Sequence, residues 1–189
     1  CLKSRGLGDV YKRQVEGYMS ASASATEASV HCRELAEAHG VEVAVSLSDV
    51  SMVEFCRESL QKMLGNGIHQ LFCNEEEALA WANSDRMDIA IAELKDVAQE
   101  LYITLGAMGS IAISKDGHGE APGISVQPVD TTGAGDIYAG AVLTARCQGA
   151  TPVEAARFAN FCAAHLVTHY GARLKHIDDY QDLRSRFNK

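Results

Sequence analysis

Strand-like apolar segments alternate with amphipathic helical segments from Val15 to the end of this 189-residue chain. The strand patterns are VEGYM (15–19), VEVAVSL (41–47), IHQLFC (68–73) and ELYITLG (100–106). The segments between them are short and helical, as the crossovers between parallel strands are. The alternation therefore predicts an α/β fold in which helices flank both faces of a mostly parallel central sheet.

Capping patterns predict where three helices begin, because Ser or Thr followed three residues later by Glu satisfies the first backbone N–H groups of a helix. This spacing occurs in Ser24-x-x-Glu27, Ser51-x-x-Glu54 and Thr151-Pro152-x-Glu154. The first helix is predicted to end at Gly40 and the second at about Leu64. Residues 110–129 predict a hairpin around Asp116-Gly117 followed by one more strand. Residues 178–187 predict a last amphipathic helix.

Charge and hydropathy limit the partners that we expect. The net charge of −8 argues against nucleic acid as a partner, although a local pocket can still bind a phosphate. No apolar run approaches the roughly 20 residues that span a bilayer, so we expect no membrane association. These features predict a cytoplasmic protein.

The first fourteen residues, CLKSRGLGDVYKRQ, match neither helix nor strand periodicity. We interpret residues 1–14 as a non-native leader that resembles a transposon end from a sequencing library. The native reading frame is then expected to continue upstream of Val15. Residues 15–189 would be the C-terminal part of a longer protein.

Two predicted strands end in loops that have two interpretations each. Asn74 and Glu77 after the third strand suit a helix cap, but they also suit a metal-bound polyphosphate, with Glu77 ordering water on Mg²⁺. The loop TLGAMGS, residues 104–110, contains Gly106 and Gly109, which allow close backbone approach to a phosphate. The same glycines are typical of a plain turn.

The loop DTTGAGD, residues 130–136, is harder to explain as a turn alone. A turn accounts for one glycine but not for Gly133, Ala134 and Gly135 followed by a carboxylate at a helix N-terminus. Unpaired N–H groups and the positive end of the helix dipole at that position favour an anion. Asp136 beside the same site could accept the proton of an attacking hydroxyl group.

The segment DTTGAGDIYAGA resembles the C-terminal motif of the ribokinase-like, pfkB-type carbohydrate kinases, a family that includes adenosine kinase. The order of motifs agrees: Asn74-x-x-Glu77, then TLGAMG (104–109), then DTTGAGD, then FANFCAAHLVTHYGA (158–172). The resemblance covers about residues 15–189. It implies a three-layer ribokinase-like fold and an ATP-dependent kinase for a primary hydroxyl of a nucleoside or sugar.

The resemblance also implies roles for particular residues. Asp136 would be the catalytic base, with an anion hole at Gly133, Ala134 and Gly135. ATP would contact Asn74, Thr104, Leu105, Gly106, Ala107, Gly109 and, near the adenine, Asn160. Glu77 would hold Mg²⁺ through water. A monovalent cation such as K⁺ would bind Asp130, Thr132, Leu166, His169 and Gly171, mostly through backbone carbonyls.

One part of the family pattern is absent from this sequence. The family's Gly-Gly substrate motif, an aspartate for the sugar hydroxyls and a β-sheet lid do not occur in it. Two interpretations therefore stay open: a truncated kinase, inactive alone, and a non-catalytic nucleotide-binding module or pseudo-kinase fragment. VSLSDVSMVEF (45–55) resembles the adenosine-kinase-like branch and slightly favours a nucleoside as acceptor.

Overall fold

The computed structural model describes residues 12–115 and 117–187. Its strands form one sheet in the order β1-β2-β3-β4-β5-β6. Strands β1 to β4 are parallel, and β5 and β6 are antiparallel to their neighbours. The strands are β1 Lys12–Glu16, β2 Glu42–Ser46, β3 Ile68–Asn74, β4 Ala98–Thr104, β5 Gly109–Ser114 and β6 Gly117–Pro122.

Helices cover both faces of this sheet. They are α1 Ala23–Ala38, α2 Val50–Phe55, α3 Arg57–Leu64, α4 Glu75–Ala82, α5 Met87–Lys95, α6 Ala134–Cys147, α7 Pro152–Leu166 and α8 Ile177–Phe187. Short 3-10 helices lie at Gly17–Ala21 and Gly106–Met108. Among the described helices, none has the length and apolarity needed to cross a membrane.

Side-chain alternation along the strands divides the apolar residues into two cores, one on each face of the sheet. On one face, residues such as Leu71 and Leu101 pack with helices α1 to α5. On the other face, their sequence neighbours Phe72 and Tyr102 pack with α6, α7 and α8. The two aromatic rings stack with centroids 5.2 Å apart. The predicted α/β architecture with helices on both faces is confirmed.

The first strand begins earlier than the sequence pattern predicted. It covers Lys12–Glu16, so residues 12–14 pair with β2, and the segment from Gly17 turns into a 3-10 helix. Gly17 packs against the backbone of Ser46 and Leu47 so closely that a Cβ would collide with it, so this position requires glycine. Residues 1–11 of the predicted leader lie outside the described residues, and the leader's origin stays a prediction.

Two of the three predicted caps are wrong in position. Helix α1 begins at Ala23, with Ser22 at the N-cap, so Ser24 lies inside the helix. Helix α2 is capped by Asp49, whose carboxylate accepts a hydrogen bond of 2.8 Å from the Ser51 N–H. Ser51 is therefore the donor that the cap satisfies. The predicted continuous helix to Leu64 is also divided at Cys56 into α2 and α3.

The third predicted cap is confirmed. The Thr151 hydroxyl accepts a hydrogen bond from the Glu154 N–H, and the Glu154 carboxylate accepts one of 2.8 Å from the Thr151 N–H. Pro152 occupies the first helical position, where its missing N–H costs nothing. This local arrangement fixes where α7 begins.

The predicted hairpin forms, but the strand predicted after it does not. Strands β5 and β6 pair from Ser114↔Gly117 to Gly109↔Pro122; Asp116 lies outside the described residues. Residues 123–129 are irregular, and Ile124, Val126 and Val129 remain 37–49% exposed. The Val129 N–H donates to the Val167 carbonyl after α7, 2.7 Å away, instead of to a strand.

Candidate active site

A cavity of about 340 Å³ lies where the four parallel strands end. Ligands of parallel sheets bind beyond these carboxyl ends of the strands. One wall comes from the strand ends and the start of α4, and the facing wall comes from the first turn of α6. Of the residues proposed from the sequence, the cavity brings together Asn74, Glu77, Thr104, Gly133, Ala134, Gly135 and Asp136.

The first turn of α6 supplies backbone N–H groups to this cavity. The Ala134 N–H is already donated to the Thr131 carbonyl, 3.1 Å away. Gly135 and Asp136 follow it in the first turn, where N–H groups have no acceptor within the helix. These two amides lie at the positive end of the helix dipole and are therefore suited to bind an anion.

Gly133 gives this turn its shape. Its φ angle is +78°, in the left-handed region, and a Cβ there would lie 2.5 Å from the Ala172 carbonyl oxygen. Gly135 differs, because a Cβ at that position would meet nothing within 4 Å. The fold therefore requires glycine at 133, whereas glycine at 135 leaves open space beside the anion donors.

The cavity contains a carboxylate that the sequence analysis missed. Glu16 at the end of β1 lines the cavity together with Asp136. Burial, and then the negative charge of Asp136, raise the pKa of Glu16. Its carboxylate accepts hydrogen bonds from Gln14 (2.7 Å) and Ser48 (3.4 Å). Its place as the last residue of a parallel strand could have identified it, had the strand been predicted with the correct bounds.

Glu77 forms the cap that one interpretation predicted and also faces the cavity. Its N–H donates to the Asn74 side chain (2.8 Å), and its carboxylate accepts from the Asn74 N–H (3.0 Å) and amide group (2.7 Å). Only 5% of Glu77 is exposed. Burial raises the pKa of Glu77 by more than the hydrogen bond from the Asn74 backbone lowers it. Capping and a role at the cavity are thus compatible.

The donor chemistry around the cavity fits Mg²⁺. Glu16, Glu77 and Asp136 are carboxylates, and no lysine or arginine stands among the described residues that line the cavity. A polyphosphate would be repelled by these three charges unless it came with a cation. Mg²⁺ prefers oxygen ligands and often needs only one or two carboxylates besides phosphate.

The segment 104–110 begins at the end of β4. Of its residues, only Thr104, the last residue of β4, lines the cavity. The Leu105 N–H donates to the Gly109 carbonyl, 2.8 Å away, and closes the turn. Gly106 has a φ of +58° and Gly109 a φ of +109°. A Cβ on Gly109 would collide with the Ala121 carbonyl. Both glycines therefore have a structural reason, as the turn interpretation predicted.

Asn160 does not line the cavity. It is 7% exposed, and its amide N–H groups donate to the carbonyls of Ala121 (2.8 Å) and Pro122 (3.3 Å). Its carbonyl oxygen accepts from the Ser110 hydroxyl, 3.2 Å away. The structure thus places this side chain between α7, β5 and β6.

The segment proposed for a monovalent cation is held together by Asp130. Its carboxylate accepts hydrogen bonds of 2.9 Å from the Thr132 N–H and of 2.9 Å from the Gly171 N–H. These hydrogen bonds lower the pKa of Asp130, and the bond from Gly171 has the largest effect. The Leu166 carbonyl accepts from the His169 N–H, 2.9 Å away. The five proposed residues therefore lie on two neighbouring segments.

A larger cavity of about 520 Å³ lies between α6, α7 and α8. It shares Asp136 with the first cavity, but its wall is mainly apolar, with Ile137, Ala141, Phe158 and Leu183 among its residues. Three carboxylates and the first-turn amides of α6 converge in the smaller cavity. We therefore place the candidate active site there.

Comparisons with known proteins show which family this chain resembles. The family model described as pfkB family carbohydrate kinase matches residues 13–178. Fructokinase-1 of Zea mays is 35% identical over 105 residues, which are 52% of this chain and 32% of that protein. Aminoimidazole riboside kinase of Salmonella typhimurium is 30% identical over 165 residues, which are 68% of this chain and 52% of that protein.

A solved structure supports the same fold. The crystal structure of adenosine kinase from Sinorhizobium meliloti superimposes with a TM-score of 0.85 at 27% identity. The match covers 93% of this chain and 54% of that chain. The predicted ribokinase-like fold is confirmed, and the chain spans about half or less of the length of these proteins.

Proposed function

Because the chain belongs to the pfkB family of carbohydrate kinases, we propose that it is the nucleotide-binding and base-carrying part of an ATP-dependent kinase. The acceptor would be a primary hydroxyl of a sugar or nucleoside. One observation carries the proposal: the Asp136 carboxylate and the first-turn amides of α6 line the same cavity at the strand ends. Phosphoryl transfer to a hydroxyl group needs two elements, a general base and hydrogen-bond donors for the anion.

In this proposal, the γ-phosphoryl group lies at the N-terminus of α6. The amides of Gly135 and Asp136 stabilise the charge that develops on its oxygens during transfer. The acceptor hydroxyl gives its proton to the Asp136 carboxylate as its oxygen bonds to phosphorus. The bond from phosphorus to the β-phosphate oxygen breaks, and ADP leaves with that electron pair.

The chain's own residues would hold Mg²⁺ through Glu77 and water. Bound Mg²⁺ would supply charge neutralisation for the phosphates. Asn74 both caps α4 and holds the Glu77 carboxylate, so it keeps that group oriented toward the cavity. A K⁺ site near Asp130 is part of the same proposal, since its two segments lie directly beside the first turn of α6.

The acceptor class remains a proposal at the level of sugar or nucleoside. The relatives include a fructokinase, a riboside kinase and an adenosine kinase, and a hydroxyl-bearing pentose or hexose ring is common to their named substrates. Glu16, across the cavity from Asp136, could accept a hydrogen bond from such a hydroxyl. We also propose that residues 15–189 act as part of a longer chain that supplies most of the acceptor site.

The test is ATP-dependent phosphorylation by the complete protein with a panel of sugars and nucleosides. Asp136→Asn is the matched variant, because asparagine keeps the size of the side chain but cannot act as the base. We expect turnover to fall at least about 100-fold, since positioned general bases contribute about 10²–10⁴-fold.

Two results would contradict the proposal. A variant that keeps more than about a tenth of wild-type turnover, with chemistry rate-limiting, would show that Asp136 is not the base. A complete protein that binds MgATP but phosphorylates no member of the panel would favour the alternative, a nucleotide-binding module without catalysis.

A further inference from the structure

A chain of buried hydrogen bonds connects α6 to the hairpin and to α7. The Tyr138 hydroxyl donates to the Ser110 hydroxyl, 2.8 Å away, and Ser110 donates to the Asn160 side-chain oxygen, 3.2 Å away. All three side chains are at most 7% exposed. Tyr138 lies two residues after Asp136 on α6, so the chain starts beside the proposed base.

This series of hydrogen bonds ends at the turn before β5. The Asn160 amide donates to the carbonyls of Ala121 and Pro122, the last residues of β6. The next residue, Gly123, donates its N–H to the Met108 carbonyl, 2.9 Å away. Met108 belongs to the Gly106–Met108 turn. The turn is therefore attached to α6 through successive hydrogen bonds that run across β5, α7 and β6.

The partners of Asn160 decide what this side chain can do. Each of its polar atoms already bonds within the protein, and it does not line the cavity. Breaking these bonds to reach a ligand would remove the Asn160 donor from the Ala121 carbonyl, whose hydrogen bond is buried, and this is costly. A direct contact with a nucleotide base is therefore unfavourable in this arrangement.

We propose that Tyr138, Ser110 and Asn160 are positioning residues that hold the turn before β5 in place relative to the first turn of α6, and that Asn160 does not bind the nucleotide. The functional part of this inference rests on the proposed function, in which the γ-phosphoryl group lies at the first turn of α6, and on the contact of ATP with Gly106 and Ala107 that the family resemblance implies. The structural part, control of the turn, can be tested without any nucleotide.

The first experiment measures amide hydrogen exchange in the 189-residue chain. Tyr138→Phe removes only one hydroxyl group. Because one hydrogen bond contributes about 1 kcal/mol, the Met108 and Gly123 amides should exchange about fivefold faster in this variant. Tyr102→Phe is the matched control, since Tyr102 is a buried tyrosine whose hydroxyl donates to Glu100, away from the turn. Unchanged exchange at both amides in Tyr138→Phe would overturn the inference.

The second experiment compares two magnesium-bound probes, ATP and inorganic tripolyphosphate, by calorimetry. A positioning role predicts that Tyr138→Phe, Ser110→Ala and Asn160→Ala weaken both probes by a similar factor, about fivefold, and that double variants are less than additive. If Asn160 were a base ligand, Asn160→Ala would weaken ATP alone, and the other two variants would bind normally; that result overturns the inference.

The two experiments also separate the inference from the proposed function. A wild-type chain that binds neither probe would count against the nucleotide site. The exchange rates would still decide whether the three side chains control the turn. Tyr138→Phe keeps the aromatic ring in the core, so its effect can be measured in a folded protein even if Asn160→Ala unfolds.

Discussion

Gly133 and Gly135 stand two residues apart in the same loop, and the structure predicts opposite effects for the same substitution. At Gly133, alanine must adopt a φ of +78°, which costs an L-residue about 1–2 kcal/mol. Its Cβ would also lie 2.5 Å from the Ala172 carbonyl oxygen, and such crowding costs about 1–3 kcal/mol. A gain of about 0.4–1 kcal/mol from the less flexible unfolded chain offsets part of this. Gly133→Ala should therefore lose about 2–4 kcal/mol of stability.

At Gly135 the same methyl group meets nothing within 4 Å, and the residue lies in the helix. Alanine is favoured over glycine in helices by about 0.5–1 kcal/mol, so Gly135→Ala should be as stable as the wild type or slightly more stable. The methyl group would, however, stand in the open space beside the amides proposed to bind phosphate. We therefore expect Gly135→Ala to bind magnesium tripolyphosphate more weakly although its fold is intact.

Urea unfolding of the two variants and the wild type measures the first difference. With a slope of about 2 kcal/mol per M, in the middle of the usual range, Gly133→Ala should move the midpoint down by about 1–2 M. Calorimetry with magnesium tripolyphosphate measures the second. Equal stability of the wild type and Gly133→Ala would refute the left-handed turn. Equal tripolyphosphate affinity of the wild type and Gly135→Ala would show that the anion does not lie on this turn.

Three further predictions concern the carboxylates and the chain itself. Glu77→Gln in the complete enzyme should raise the magnesium concentration needed for activity and leave stability nearly unchanged, because glutamine also completes a capping box; a normal magnesium titration would leave Glu77 as a cap only. Glu16→Gln should be more stable than the wild type at pH 7. The folded state raises the pKa of Glu16 above its ordinary 4.5, so the wild type loses stability as the pH rises through the raised value, whereas glutamine does not titrate. Denaturation curves from pH 4 to pH 8 should show the two proteins equal at the acidic end and diverging above it; parallel curves would contradict the cause given for the shift. The 189-residue chain alone should bind MgATP weakly and show no turnover, since closure over an acceptor completes such sites; steady phosphorylation of adenosine, ribose or fructose would contradict this.

Features that depend on neighbouring residues were accessible from the sequence. The period of the apolar residues changes between strand-like and helix-like segments. This change predicted the sheet, its helices and the hairpin, because a strand or helix that is buried on one or both faces needs apolar residues at fixed spacing. The capping box at Thr151 and the glycine-rich start of α6 were also predicted, because both depend on residues only a few positions apart. Helix starts with several candidate caps were predicted less well, since Asp49 and Ser51 compete for the same position.

Features that depend on which segments become neighbours were decided by the tertiary structure. Glu16 joins Asp136 only because β1 ends at the same edge of the sheet to which α6 returns more than a hundred residues later. Residues 123–129 alternate like a strand but pair with no strand in the described part of the chain, and Val129 bonds to the end of α7 instead. Asn160 looks the same in the sequence whether it faces a ligand or the protein. Its hydrogen bonds to β5 and β6 settle that, because a buried amide takes the partners that the packed chain brings within reach.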